Sequence, residues 1–330
     1  MAQPLHLVES IPIPIETSVP QPDMALTAHD LWLLTHTHTE KQWNTYDADG
    51  PRTHQFQQIE LPGRKHRRLR TEASPDVPAE EYEVVNLLGW TESVDTALTQ
   101  KTHEKLSGYI PGAAINTEAT YGIDGTVEGN WPKIRGLNLD DMAARTFDML
   151  RTVYADKPLV ITATSMNAAV LARVEELNDN SDQQVNIVQR ILYEPCLVPP
   201  ERAGLRMAPG FFAHVIKDYM HELVYRTAPS EIFEIILDEA KSGPRLRDIP
   251  AVLAQGLSLL RGTPYDLIAT LARKEPIKIQ GTTDCLGSDI VNSLPFKHRN
   301  VEGKGHGMAM NPRKRAYAIA KALQSMASVG

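Results

Sequence analysis

The architecture of this chain follows from Pro158-Leu-Val-Ile-Thr-Ala-Thr-Ser165-Met-Asn-Ala-Ala-Val-Leu-Ala172. An apolar run of strand length meets a serine and continues at once into a helical pattern. The pattern predicts a β-strand, a sharp turn that carries a hydroxyl, and an α-helix. Such a turn lifts the oxygen of Ser165 out at the carboxyl end of the strand, where the N-terminus of the helix favours negative charge.

The residues beside Ser165 leave its role open. Ala163 is small, as a crowded turn requires. The G-x-S-x-G pattern of a nucleophile elbow places glycine two residues after the serine, whereas this chain has Asn167 there. A Thr-Ser pair at a strand-to-helix junction is also a common helix cap. The stretch by itself therefore fits both a catalytic serine and a capping serine.

A carboxylate and a histidine follow further along the chain. Pro276-Ile-Lys-Ile-Gln-Gly-Thr-Thr-Asp284 predicts a β-strand that ends in a glycine turn and a carboxylate. Val301-Glu-Gly-Lys-Gly-His306-Gly places a histidine in a glycine-rich loop. The separation is 306 − 284 = 22 residues, which allows one connection and one more strand. Taken singly, Asp284 is also typical of a turn and His306 of an ordinary loop.

These three residue types suit nucleophilic catalysis. A serine hydroxyl is a weak nucleophile at neutral pH and needs a base within hydrogen-bond reach. Histidine titrates near physiological pH, so it can take that proton and return it to a leaving group. A carboxylate behind the histidine fixes its tautomer. We therefore predict a triad of Ser165, His306 and Asp284, with Asp289 and Glu194 as alternative carboxylates.

The chain order Ser165, Asp284, His306 resembles that of the α/β-hydrolase superfamily, over roughly residues 82–326. The resemblance implies an α/β fold, with a mostly parallel sheet flanked by helices and a serine nucleophile. Some members of the superfamily place their acid after the sixth strand, and Glu194 follows the strand-like run 185–192.

A glycine turn in Glu83-Val-Val-Asn-Leu-Leu-Gly89-Trp90-Thr-Glu-Ser93 looks like the loop after the third strand of such hydrolases. Leu88 stands where histidine is common. Gly89 allows the backbone to turn so that the next amide points inward. The resemblance implies that the backbone N–H groups of Trp90 and Met166 form the oxyanion hole. The simpler alternative is a strand-to-helix turn without a ligand.

The predicted elements divide the chain into four parts. Residues 1–24 form a proline-rich arm, 25–200 the first part of the core, 201–274 a helical insertion, and 275–330 the last part of the core. The insertion contains helices predicted at 211–225, 230–241, 249–261 and 265–273. By the resemblance it is a lid over the active site, and the alternative is a helical subdomain for dimerisation.

Three β-like stretches, at 31–39, 54–61 and 65–70, are expected to open the sheet as antiparallel strands. The basic run Gly63-Arg-Lys-His-Arg-Arg-Leu-Arg70 lies in the last of them. Because it lacks interleaved aromatic residues and belongs to an acidic chain, we predict a solvated edge strand rather than a phosphate or nucleic-acid site.

Composition excludes several classes of protein. The net charge of −7 argues against a dedicated nucleic-acid binder and against an anionic membrane surface. No apolar run is long enough to span a bilayer. The first 24 residues contain five prolines and no lysine or arginine, so they are not a secretory signal. The two cysteines, Cys196 and Cys285, suit a reducing compartment, and we expect a cytoplasmic protein.

The sequence thus predicts an ester or thioester hydrolase that acts on a small, partly apolar acyl substrate through an acyl-enzyme. No cofactor is expected. No metal is expected either, although His36 and His38 alternate on one strand and could meet His54 or His66. A homodimer is left open. The alternatives are a lactonase, a C–C bond hydrolase, a cofactor-free haloperoxidase with the same triad, or a catalytically inactive scaffold.

Overall fold

A computed structural model describes most of the α/β part of the chain. The described residues are 27–47, 50–89, 92–119, 139–155, 157–196, 234–235, 238, 257–258, 265–274, 277–281, 298–300 and 311–327. The expected proline-rich arm and most of the helical insertion lie outside these ranges.

The described strands form one mixed sheet of nine strands in the order β1-β2-β3-β5-β4-β6-β7-β8-β9. Their bounds are β1 (Thr37–Asp47), β2 (Gly50–Leu61), β3 (Arg64–Thr71), β4 (Glu83–Leu87), β5 (Ile115–Glu118), β6 (Leu159–Thr164), β7 (Ile187–Tyr193), β8 (Ile277–Gly281) and β9 (His298–Asn300). The first three strands and the β3–β5 pair are antiparallel. Every pair from β5 to β9 is parallel.

The helices whose bounds fall within the described residues are α1 (Ala28–His36), α2 (Ala97–Tyr109), α3 (Leu139–Val153), α4 (Asn167–Asp179), α5 (Tyr265–Arg273) and α6 (Pro312–Ala327). Helices α3, α4 and α5 bury one face of the sheet, which includes Leu159, Ile161 and Ala163 of β6. Helices α2 and α6 bury the opposite face against Val84 and Val160. All six residues of β6 are buried, because helices cover both faces of this central parallel strand.

The prediction of a strand from residue 31 is wrong, because residues 31–36 belong to helix α1 and β1 begins at Thr37. A capping box starts the helix: Thr27 Oγ1 accepts from the Asp30 N–H at 3.1 Å, and Asp30 Oδ2 accepts from the Thr27 N–H at 3.0 Å. Trp32 and Leu33 pack against the core. The antiparallel opening of the sheet is confirmed.

The prediction that the basic run is a solvated edge strand is also wrong. Strand β3 lies inside the sheet between β2 and β5, and His66 and Arg68 are only 2% and 4% exposed. Its cationic side chains are paired: Arg67 Nη1 lies 2.5 Å from Asp95 Oδ2, and Arg68 Nε donates to Gln57 Oε1 at 2.9 Å. Because Asp95 and Gln57 pair with these cations, the strand can lie inside the sheet without leaving unpaired charges.

Two stretches of the predicted insertion contact the helices that begin at the carboxyl edge of the sheet. Asp238 accepts a hydrogen bond from the Ala97 N–H at the start of α2. Ser258 Oγ accepts from the Leu139 N–H at the start of α3 at 3.0 Å. Helix α5, the last helix predicted for the insertion, packs on α4 through Leu267 and Leu271. These contacts satisfy N–H groups that lack partners within their own helices.

Among the described residues, no helix has both the length and the apolar character needed to cross a bilayer.

Glu83, the first residue of β4, joins the antiparallel and parallel parts of the sheet. Its Oε2 accepts from Arg70 Nη1 at 2.8 Å and from Asn116 Nδ2 at 2.9 Å, and its Oε1 accepts from Lys157 Nζ at 3.2 Å. Burial opposes ionisation of this carboxyl. The charges and hydrogen bonds of Arg70 and Lys157 outweigh burial and lower the pKa of Glu83 to about 2 from 4.5.

We predict that Glu83 makes stability depend on acid pH. Because its folded pKa is depressed, its contribution is complete above pH 4.5 and is lost as the pH falls towards 2. In chemical denaturation, the difference in unfolding free energy between wild type and Glu83→Gln should shrink by on the order of 3 kcal/mol over that window. Glu72→Gln is the control, because Glu72 binds the same Arg70 but is 62% exposed. If the difference in unfolding free energy between wild type and Glu83→Gln did not change with pH, the lowered pKa of Glu83 would be contradicted.

Candidate functional site

Ser165 lies directly after the central strand β6 and just before helix α4, as the sequence predicts. Its φ is +53°, a left-handed conformation that a non-glycine residue adopts only at a cost. The N-cap residue of α4 is Met166, and no side chain caps this helix. Ser165 therefore does not cap the helix, and the alternative that the Thr-Ser pair is only a helix cap is excluded. The geometry is that of a nucleophile elbow.

The neighbouring strand fixes the elbow. The N–H of Ser165 donates to the carbonyl oxygen of Tyr193 at 3.0 Å, and the carbonyl oxygen of Ser165 accepts from the N–H groups of Cys196 at 3.1 Å and Ala168 at 3.1 Å. Ser165 is only 8% exposed. The serine therefore lies in a shielded position, where water has little access.

Asn167, which departs from the glycine of the elbow pattern, contacts the loop after β4. Its Nδ2 donates to the carbonyl oxygen of Leu88, and its side chain is 4% exposed. The amide thus joins the first turn of the elbow helix to the segment that was expected to supply an oxyanion donor. A glycine at this position could not make that contact.

A second interaction shapes the same loop. The N–H of Gly89 donates to Glu92 Oε2 at 2.6 Å. A Cβ at position 89 would lie 3.1 Å from the Glu92 carboxyl carbon, so glycine lets the carboxylate approach this closely. Trp90, the expected donor, lies outside the described residues. The described residues on either side of Trp90, Gly89 and Glu92, are nevertheless joined by this hydrogen bond.

Glu194, one of the alternative acids, follows β7 immediately beside the elbow. It is fully buried, and its φ of +48° is left-handed like that of Ser165. Cys196, two residues further on, is buried as a free thiol, and burial raises its pKa to about 12. That pKa makes it a poor nucleophile at neutral pH, which leaves the serine as the candidate nucleophile among these residues.

The other predicted triad residues, Asp284 and His306, lie outside the described residues, as do Asp289 and Cys285. The strands that precede them are described. Strand β8 ends at Gly281 and β9 at Asn300, and both run parallel to β6. The chain therefore leaves each of these strands at the sheet edge on which Ser165 lies.

Two of the four histidines that were considered for a metal, His54 and His66, have close hydrogen-bond partners. His54 Nδ1 lies 2.7 Å from Thr71 Oγ1, and its Nε2 lies 2.7 Å from Thr45 Oγ1. His66 Nε2 lies 2.5 Å from Glu118 Oε2. No group of three or more possible metal ligands occurs within the described part of the chain.

Sequence reasoning missed Glu92 and Arg315, whose side chains form an ion pair beside the elbow. The first turn of α6 carries three cations, Arg313, Lys314 and Arg315, at the positive end of the helix dipole, and no local pattern distinguishes Arg315 from the other two.

Three solved structures show which fold this arrangement belongs to. A laboratory-evolved variant of potato epoxide hydrolase matches with a TM-score of 0.56 at 8% identity, over 84% of this chain and all of that one. A serine hydrolase involved in carbazole degradation matches with a TM-score of 0.54 at 12% identity, over 88% of this chain and 100% of that one. A lipase-esterase related protein from Clostridium acetobutylicum matches with a TM-score of 0.50 at 13% identity, over 75% and 96%.

These matched structures are α/β-hydrolases, and the protein has the α/β-hydrolase fold, as its sequence predicted. No protein-family model matches the sequence, and no curated protein matches it. At identities this low the similarity identifies the fold, and the chemistry must be argued from the site.

The strained backbone at Ser165 gives a prediction that does not depend on activity. Glycine adopts a positive φ without strain, so Ser165→Gly should be more stable than Ser165→Ala by about 0.5–1 kcal/mol in chemical denaturation. Thr164, in the extended strand, is the matched control: there the glycine variant should be the less stable of the pair. If Ser165→Gly were also less stable than Ser165→Ala, the left-handed conformation assigned to residue 165 would be wrong.

Proposed function

We propose that the protein is a serine hydrolase that cleaves a carboxylic ester or thioester through an acyl-enzyme. The observation that carries the proposal is the left-handed, non-glycine Ser165 between the central strand and an uncapped helix N-terminus. Backbone strain of this kind persists only where the surrounding structure enforces it, and it is concentrated at functional sites.

In the proposed reaction, the oxygen of Ser165 attacks the acyl carbon while His306 takes its proton. The carbonyl oxygen becomes an oxyanion, which the backbone N–H groups of Met166 and Trp90 would stabilise. His306 then gives its proton to the leaving alcohol or thiol, and an acyl-enzyme remains. Water, activated by the same histidine, hydrolyses it and restores Ser165.

The described geometry supports Met166 as an oxyanion donor. Its N–H lies at the start of α4, where backbone N–H groups have no partner inside the helix. The same end of the helix carries partial positive charge, and no acidic residue occurs in its first turn to compete with an anion. Developing negative charge beside Ser165 would therefore be favoured.

For the orienting acid we propose Asp284, which follows strand β8 and its glycine turn. Glu194 is the second candidate, because it is fully buried and follows the strand that pairs with β6. At either place the carboxylate would follow the end of a strand at the edge of the sheet on which Ser165 lies.

We further propose that residues 201–274 act as a lid that covers a small, partly apolar acyl group. The contacts of Asp238 with α2 and of Ser258 with α3 support this, because both helices begin at the carboxyl edge of the sheet. The low exposure of Ser165 is consistent with a covered site. A helical subdomain for dimerisation is the alternative.

An inactive scaffold with the same fold is the competing function. A scaffold gains nothing from a serine held in a strained conformation, whereas a nucleophile gains its position from it. Asn167, which weakened the elbow motif in the sequence, also fits the enzyme, because its side chain binds the loop expected to form the oxyanion hole. The elbow therefore favours catalysis.

A fluorophosphonate probe tests this function directly. Wild type should react covalently with the probe and hydrolyse short-chain p-nitrophenyl esters, whereas Ser165→Ala should lose both activities, with a fall of at least about 1,000-fold in kcat. Cys196→Ser serves as the control and should keep the labelling, because its thiol is buried and protonated at neutral pH. A folded wild type without any adduct between about pH 6 and 9 would favour the scaffold.

The identity of the acid can be tested by paired amide substitutions. Asp284→Asn should lower kcat by on the order of 10,000-fold, because an amide favours the wrong histidine tautomer. Asp289→Asn should change kcat little. Circular dichroism should show that all variants are folded. A mild effect at 284 with a severe one in Glu194→Gln would transfer the role to Glu194.

A further inference from the structure

The cation of Arg315 is buried at a place that disfavours it. The residue lies in the first turn of α6, where Asn311 caps the helix by accepting from the Lys314 N–H at 3.1 Å. The side chain of Arg315 is fully buried. The positive end of the helix dipole opposes a cation there, and burial opposes it further. Such an arrangement requires strong compensation.

Glu92 supplies this compensation across the sheet edge. Arg315 Nη1 donates to Glu92 Oε1 at 2.6 Å, and Nη2 donates to Glu92 Oε2 at 2.9 Å, so the pair is bidentate. Nη2 also donates to Thr164 Oγ1 at 3.0 Å. One guanidinium therefore binds both the loop after β4 and the residue that directly precedes Ser165.

Glu92 extends this connection to the backbone of its loop. Its Oε2, which accepts from Arg315, also accepts from the N–H of Gly89. The hydrogen bonds thus run without interruption from Thr164 through Arg315 and Glu92 to Gly89. On the other side of the elbow, Asn167 binds the carbonyl oxygen of Leu88. Two polar links consequently set the distance between the serine and the loop.

We propose that Arg315 and Glu92 position the oxyanion side of the active site relative to Ser165; the inference rests on the proposed hydrolase function. Neither residue touches the substrate. Their pair fixes Gly89, which begins the loop expected to supply an oxyanion donor, with respect to Thr164 and the nucleophile. Displacement of a catalytic group by about 1 Å can cost on the order of 100-fold in rate, so this link would act on kcat more than on KM.

The chain offers a matched control. Arg190 and Glu175 form another buried bidentate pair, with Nε to Oε1 at 2.5 Å and Nη2 to Oε2 at 3.1 Å. Arg190 lies within β7 opposite Ile161, before the end of the strand that leads to Ser165. Glu175 lies in the third turn of α4 and also has Lys274 Nζ at 3.7 Å. The Arg315–Glu92 pair instead hydrogen-bonds directly to Thr164, next to Ser165, and to Gly89.

The test compares Arg315→Met with Arg190→Met, using a short-chain p-nitrophenyl ester and the fluorophosphonate probe. We expect Arg315→Met to lower kcat and the rate of labelling by on the order of 100-fold, with KM changed by less than about threefold. Arg190→Met should stay within about threefold of wild type in kcat. Amide hydrogen exchange should become faster in residues 88–93 for Arg315→Met alone.

Conservative variants keep the test decisive if Arg315→Met does not fold. Arg315→Lys retains the charge but not the bidentate contact, and Glu92→Gln retains an acceptor for Gly89; each should lose part of kcat. An active wild type whose kcat and loop exchange are unaffected in these variants, or are affected equally in Arg190→Met, would overturn the inference and leave the hydrolase function intact. A wild type that neither the ester nor the probe detects would overturn both.

Discussion

The left-handed backbone of Ser165 is the constraint on which the rest of the site depends. Holding a non-glycine residue in this region costs about 1–3 kcal/mol, and the surroundings must supply that free energy. Here β6 is buried on both faces, and the turn is fixed by the Ser165 N–H, which donates to Tyr193, and by the Ser165 carbonyl oxygen, which accepts from Cys196 and Ala168. The serine consequently stands at the end of a rigid, buried strand, which is the preorganisation that the proposed nucleophile would need.

The antiparallel half of the sheet is organised by buried polar groups. Burial opposes ionisation of Glu118, but His66, Arg68 and Tyr154 outweigh it and hold the pKa of that carboxyl below its ordinary value. Burial, together with the charge of Glu118, raises the pKa of Tyr154 well above its usual range. A one-residue slip of β3 would turn His66 and Arg68 to the other face and separate these groups, so their pairing specifies the strand register.

A second set of buried polar groups crosses the opposite face of the sheet. Its hydrogen-bonded contacts join, in order, Thr45, His54, Thr71, His103, Thr117, Asn86 and Thr162. Burial, with a contribution from His54, lowers the pKa of His103 to about 3, so this imidazole is neutral at physiological pH. The chain of contacts links the edge strand β1 to the central strand β6.

The sequence by itself determined the elements whose signals are local. The apolar run, serine and helical pattern around Ser165 predicted a strand, a sharp turn and a helix, because periodicity acts within a few residues. Strand order was decided only by tertiary structure, which is why β3 is internal rather than an edge. The same holds for Arg315 and Glu92, which lie more than 200 residues apart in the chain. Local patterns specify which face of an element is apolar, whereas pairing across the sheet depends on which distant groups can neutralise one another once they are buried.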